Sequence, residues 1–210
     1  MPRKARAGPW GAGGEAVAER PLLAVKIAVI ANLWTSIEGH MAYALGSMIG
    51  SDDRVAMAIL SKVQTATAKS QMIRAIGKAS LPPFMQPELG QVLGAFDALA
   101  PARNKVVHGL WGTTEAEPEG LLWVPPNAPS RLSLGMIAAM KAGRAEEHIK
   151  EVLSGSELWE ASDFDAIIAD LSRLASESAS FASKMQALTT ATEAGLDIDT
   201  IKSHLDERQT

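Results

Sequence analysis

A mainly α-helical fold is predicted: an antiparallel bundle of four main helices with a small β-hairpin or meander inserted before the last of them. Three observations carry this. Apolar residues recur at three- and four-residue steps over most of the chain, the signature of helices with one buried face. Turn and capping residues separate these periodic runs. Only the stretch of about 110–135 changes character, to short apolar runs around a Glu- and Pro-containing turn.

The first helix is expected from Pro21 to about Gly50, with Ile30, Leu33, Trp34, Ile37, Met41, Leu45 and Met48 along its apolar stripe. Ser51-Asp52-Asp53 supplies cap chemistry for a second helix reaching about Ala79, where Leu81-Pro82-Pro83 ends it. A third begins near Pro87 and turns Leu89, Val92, Leu93, Phe96 and Leu99 inward. Pro101, which has no N–H to donate to residue 97, must kink or restart it. Leu110 to Gly112 and Leu121 to Pro126 read as two strands, with Arg131 to Leu134 as a short third. Met136 to Leu153 is ambiguous, its Ala, Lys and Glu content favouring helix. Ser162-Asp163 caps a last helix through Phe164, Ile167, Ile168, Leu171, Leu174, Phe181 and Met185. The domain expectation is a flexible, mildly basic, Gly-rich tail over 1–20, one helical domain over 21–190, and a polar tail over 191–210.

Composition narrows the chemistry. With no cysteine, thiol catalysis, thiolate metal sites and disulfides are excluded. A net charge of -4 gives no global argument for nucleic acid, although a local basic cleft stays open. The apolar run Leu22 to Leu33 is interrupted by Lys26 and Asn32 and falls short of the ~20 residues of a membrane span. The opening stretch has no apolar core of the secretory type, so a cytoplasmic protein with no membrane association is expected. His148 and His204 have no second histidine at ligand spacing, and no metal or other cofactor is expected. Phosphate-binding glycine loops and nucleophile elbows are likewise missing from the sequence.

The most informative segment is Arg103-Asn104-Lys105-Val106-Val107-His108-Gly109. Helical phase carried past Pro101 puts Arg103 on the side of Phe96, Leu99 and Val106, where a cation needs a partner, a ligand or a wet cleft. Asn104 and His108, four apart, share a face, and Gly109 stops the helix. The negative end of the helix dipole favours the protonated ring and a proton-donor role for His108, while the guanidinium of Arg103 suits phosphate oxygens. The structural alternative has His108 capping helix-end carbonyls and Arg103 paired with Asp97 or Glu38.

Arg-Asn-x-x-x-His followed by Gly and an aromatic, at a helix end after two long amphipathic helices, resembles the HEPN superfamily, loosely over residues 22–190. The resemblance implies a HEPN-like helical bundle. It also implies a metal-independent endoribonuclease in which the Arg-x4-6-His motifs of two subunits meet in one composite site. Arg103 would stabilise the phosphoryl oxygens, Asn104 would orient His108 or the phosphate, and the two His108 rings would divide the acid and base roles. RNA, a second copy of the chain, and an antitoxin or regulatory protein are the implied partners, in toxin–antitoxin, stress-response or phage-defence settings. One departure is clear: where the toxins regulated by a nucleotidyltransferase antitoxin carry a tyrosine, this chain has Leu110.

Weaker substrate-contact candidates are Glu38, Lys105 and Trp111, with Trp123 also placed to stack on a base; cross-strand packing accounts for the tryptophans at least as well. His40 is expected on the surface. A different class of function, a non-catalytic helical module binding a partner protein or a nucleotide through the same groove, is compatible with the same pattern.

Overall fold

The computed structural model describes residues 2–4, 10–115, 117–197, 200 and 202–203. It is mainly helical with a small antiparallel sheet. Its contacts divide the chain into two compact units, residues 1–31 with 102–169 and residues 32–101 with 170–210.

The second unit is helical. It takes in most of α2 (Pro21–Ile49), α3 (Asp53–Lys62), α4 (Ala66–Ser80), the first part of α5 (Gln86–His108) and most of α8 (Ala161–Glu193). The expected stripe of α2 is its buried face: Trp34, Ile37, Met41 and Leu45 are all buried, and Trp34 stacks on Phe96 at 4.4 Å between ring centres. Gly50 ends α2 in the left-handed region (φ 65°), which lets Ser51 N–H donate back to the Gly46 carbonyl. Asp52 then caps α3 by accepting from Val55 N–H. The second expected helix is in fact two. Thr65 accepts from Ala68 N–H and restarts the chain as α4, a break that no Gly or Pro announces. Gly77 of α4 has no room for a side chain, because Leu89 packs where its Cβ would stand. Of the kink or restart expected at Pro101, the restart does not occur: α5 is one helix with Pro101 inside it.

The first unit holds the sheet. Its five strands are β1 (Arg3–Lys4), β2 (Trp10–Ala12), β3 (Leu110–Thr114), β4 (Leu121–Val124) and β5 (Glu157–Trp159), in the order β1-β5-β4-β3-β2 with every pairing antiparallel. Two of these strands fall within the stretch 1–20, where a flexible tail is expected. The described residues of this stretch supply both edge strands and a short helix, α1 (Glu15–Ala18). Arg131 to Leu134 is not a strand. It lies in α6 (Ala128–Lys141), which Pro129 opens at its first turn, and the third central strand is β5 instead. The ambiguous stretch after Met136 is helix on both sides of a left-handed Gly143, continuing as α7 (Ala145–Leu153). Val152 of α7 and Ala128 pack under Leu122 and Val124 of β4. Trp111, Trp159 and Phe164 form an aromatic cluster with ring centres 5.3–5.7 Å apart.

Two further expectations change. The last helix begins at Ala161, so Asp163 caps from inside the first turn, its carboxylate accepting from Glu160 N–H. α2 reaches 29 residues with a window of mean hydropathy 1.4, so by length and composition it is long and apolar enough to cross a membrane, contrary to the shorter run read from the sequence. The core helix of a soluble protein and a signal sequence pass the same test, and 22% of that window is buried. His204 lies outside the described residues.

Candidate functional site

The end of α5 is built by two tryptophans from the sheet. A helix leaves its last carbonyls without intrahelical partners. Here Trp123 Nε1–H donates to the Lys105 carbonyl at 3.0 Å and Trp111 Nε1–H to the Val106 carbonyl at 3.2 Å. Gly109 N–H also donates to the Lys105 carbonyl, turning the chain directly into β3. Any side chain at Gly109 would meet the Trp123 indole, whose Nε1 stands 2.1 Å from the position of an added Cβ. Trp111 and Trp123 are opposite one another in the β3–β4 register, so one cross-strand pair clamps the last turn of the helix.

Arg103, Asn104 and His108 come together on this clamped end. Arg103 Nη1 lies 3.2 Å from Asn104 Oδ1 and 3.3 Å from His108 Nε2. A guanidinium only donates, so His108 Nε2 accepts and the ring hydrogen sits on Nδ1. In this arrangement the guanidinium of Arg103 faces the Nε2 edge of the His108 ring. Asn104 and His108 are exposed, while Arg103 is half-buried rather than fully inward, beside the buried Val106. A phosphate oxygen arriving here would compete with His108 Nε2 for the same guanidinium edge and would leave that lone pair next to the ligand.

The weaker candidates separate from this group. Glu38, in the other unit, is held by Lys69 at 2.6 Å, and Asp97 there accepts from Ser70 at 2.8 Å. Lys105 is committed to the sheet: it pairs with Glu157 and lies over the Trp123 ring, 5.0 Å from its centre. Trp111 is buried among Trp159 and Phe164 with its indole N–H used, so it offers no face for base stacking. His148 Nε2 lies 3.3 Å from the Arg131 carbonyl and donates to it, tying α7 to α6. Among the described residues, no three His, Cys, Asp or Glu side chains are grouped to hold a metal ion.

One arrangement escaped sequence reasoning. His40 is half-buried rather than on the surface, with Nδ1 3.0 Å from Ser178 Oγ. Ser178 donates its own hydrogen to the Ala175 carbonyl, so it accepts from His40 Nδ1–H. The ring lines a cleft of about 680 Å³ together with Tyr43, Asp53, Arg54, Met57 and Gln186. Since Ser178 stands 138 positions from His40, no local pattern signals the pair.

Compared with known proteins, the chain matches no family model, no curated protein and no solved structure.

Proposed function

We propose that this chain is a metal-independent endoribonuclease of HEPN type, active as a homodimer in which two copies of the Arg103–His108 segment form one site. The observation that supports the reading is the hydrogen bond from Arg103 Nη1 to His108 Nε2 on an exposed, clamped helix end. It pairs a permanent cation with an unprotonated ring nitrogen, the two groups that metal-independent cleavage of RNA requires.

In the proposed reaction one His108 takes the proton from a ribose 2′-hydroxyl. The 2′-oxygen bonds to phosphorus, and the bond to the 5′-oxygen of the next nucleotide breaks. The other subunit's ring, protonated, gives its proton to that leaving oxygen. Arg103 stabilises the charge that builds on the non-bridging oxygens, and Asn104 keeps the guanidinium in line. The products are a 2′,3′-cyclic phosphate and a 5′-hydroxyl. A cytoplasmic role in defence or stress response, and control by an antitoxin or other regulatory protein, follow from the resemblance.

The test is single-stranded RNA incubated with purified protein in EDTA, with the product ends analysed. Cleavage leaving cyclic phosphate, lost in both His108→Ala and Arg103→Ala, is the expected outcome. Cleavage that persists in both variants would move the site elsewhere, and intact RNA across diverse substrates would favour the non-catalytic module.

A further inference from the structure

We propose that the outer edge of β5, with Glu117 and Glu160 beside it, is a strand-addition site for an extended segment that carries an arginine. Arg3–Lys4 of the same chain is its resident and displaceable occupant. Among the described residues, β1 pairs with β5 at two positions, Arg3 opposite Leu158 and Lys4 opposite Glu157, and has no strand on its other side. Main-chain pairing of this kind accepts any extended segment, so selectivity must come from side-chain pockets. The pocket here is explicit. Arg3 Nη2 lies 2.6 Å from Glu160 Oε1 and 3.2 Å from Glu117 Oε2, so one guanidinium joins the β3–β4 turn to the start of α8. The single nitrogen Nη2 makes both contacts, so selectivity for the segment rests on a cation that reaches both carboxylates.

Both carboxylates also line a cleft of about 500 Å³, whose other walls include Arg20, Leu22 and Leu23. Gly120 brings the turn against β5, since a Cβ there would meet Leu158 at 2.8 Å and the Trp159 carbonyl at 3.2 Å.

The resident strand is weakly held. Arg3 and Glu160 are each about half exposed (49% and 51%), and exposed ion pairs contribute little individually. Two-residue pairing adds little more. Tethering does the rest, because a segment on the same chain acts at an effective concentration on the order of millimolar. A segment of the same chemistry on another molecule therefore competes once the resident is disabled. Glu157, opposite Lys4 on this edge, also holds Lys105 of α5.

The probe is a fluorescent peptide copying residues 2–8, titrated against full-length protein and followed by anisotropy. Arg3→Glu should bind it roughly tenfold or more tightly than wild type, as expected when a tethered competitor is removed. Adding Glu117→Gln and Glu160→Gln to Arg3→Glu should abolish the gain, as should replacing the first arginine of the peptide by alanine. Equal affinity for wild type and Arg3→Glu, no binding to Arg3→Glu, or a gain that survives loss of both carboxylates would each overturn the proposal. Should Arg3→Glu fail to fold, judged by its melting curve, Arg3→Ala carries the same test.

Discussion

His108 receives a hydrogen bond at Nε2 from Arg103, five residues earlier on the same helix, whereas His40 gives one from Nδ1 to Ser178, 138 residues away. The first ring is exposed at a helix end beside a cation. The second is half-buried and anchored to a serine that is itself 2% exposed and bonded onward to Ala175. Both rings have a side-chain partner, yet only His108 holds a hydrogen bond that an incoming anion can take over. Fixing a histidine to the interior makes it part of the framework; fixing it to an exposed arginine leaves it exchangeable. The framework around His108 lies in the backbone instead, where two indoles and a glycine hold the turn that carries it.

The contrast breaks most readily at Gly109. Gly109→Ala forces a methyl group into the Trp123 indole and should cost roughly 1–3 kcal/mol in denaturant unfolding, the range for overpacking. It should also impair any activity of His108, because the clamp and the motif share one turn. Unchanged stability in that variant would mean the turn is not clamped. Ser178→Ala is the matching change at the other histidine. It leaves His40 Nδ1–H without its acceptor, and a loss of about 0.5–1.5 kcal/mol is expected, with RNA cleavage unaffected.

The smallest effect is at Asp52. Its hydrogen bond from Val55 N–H, helped by Arg54, holds its carboxyl below the ordinary range. A depressed folded-state pKa gives stability that is present above the unfolded value of 3.8 and is lost as pH falls through the folded one. Asp52→Ala should therefore lower the melting temperature slightly at neutral pH, with the difference from wild type shrinking in acid below about pH 4. Asp52→Asn, still a good cap, should keep most of the neutral-pH stability. A difference that stays constant into acid would show that the charge of the cap is immaterial.

Local order is what the sequence makes legible. The bounds of α2 follow from its apolar steps and Gly50, and the Arg103–His108 group is readable because its three members lie within six residues of one helix. Long-range pairing leaves no comparable trace. β1, β2 and β5 are two or three residues each and take their meaning from partners more than a hundred, or several tens of, positions away. The break at Val63–Thr65 is hidden because it uses an ordinary threonine cap, and the Glu38–Lys69 pair is hidden because its members lie 31 positions apart on different helices. Trp111 looked available for a base because its strand could be read, while the carbonyl it satisfies could not.

The most direct measurement sets the two histidines against each other: initial rates of RNA cleavage in EDTA for wild type, His108→Ala and His40→Ala, each with its melting temperature. The account predicts a fall of about 10²–10⁴-fold for His108→Ala at nearly unchanged melting temperature, the scale of lost general acid–base catalysis. For His40→Ala it predicts a near-normal rate with a lowered melting temperature. The reverse pattern, with cleavage lost at His40 and retained at His108, would contradict it.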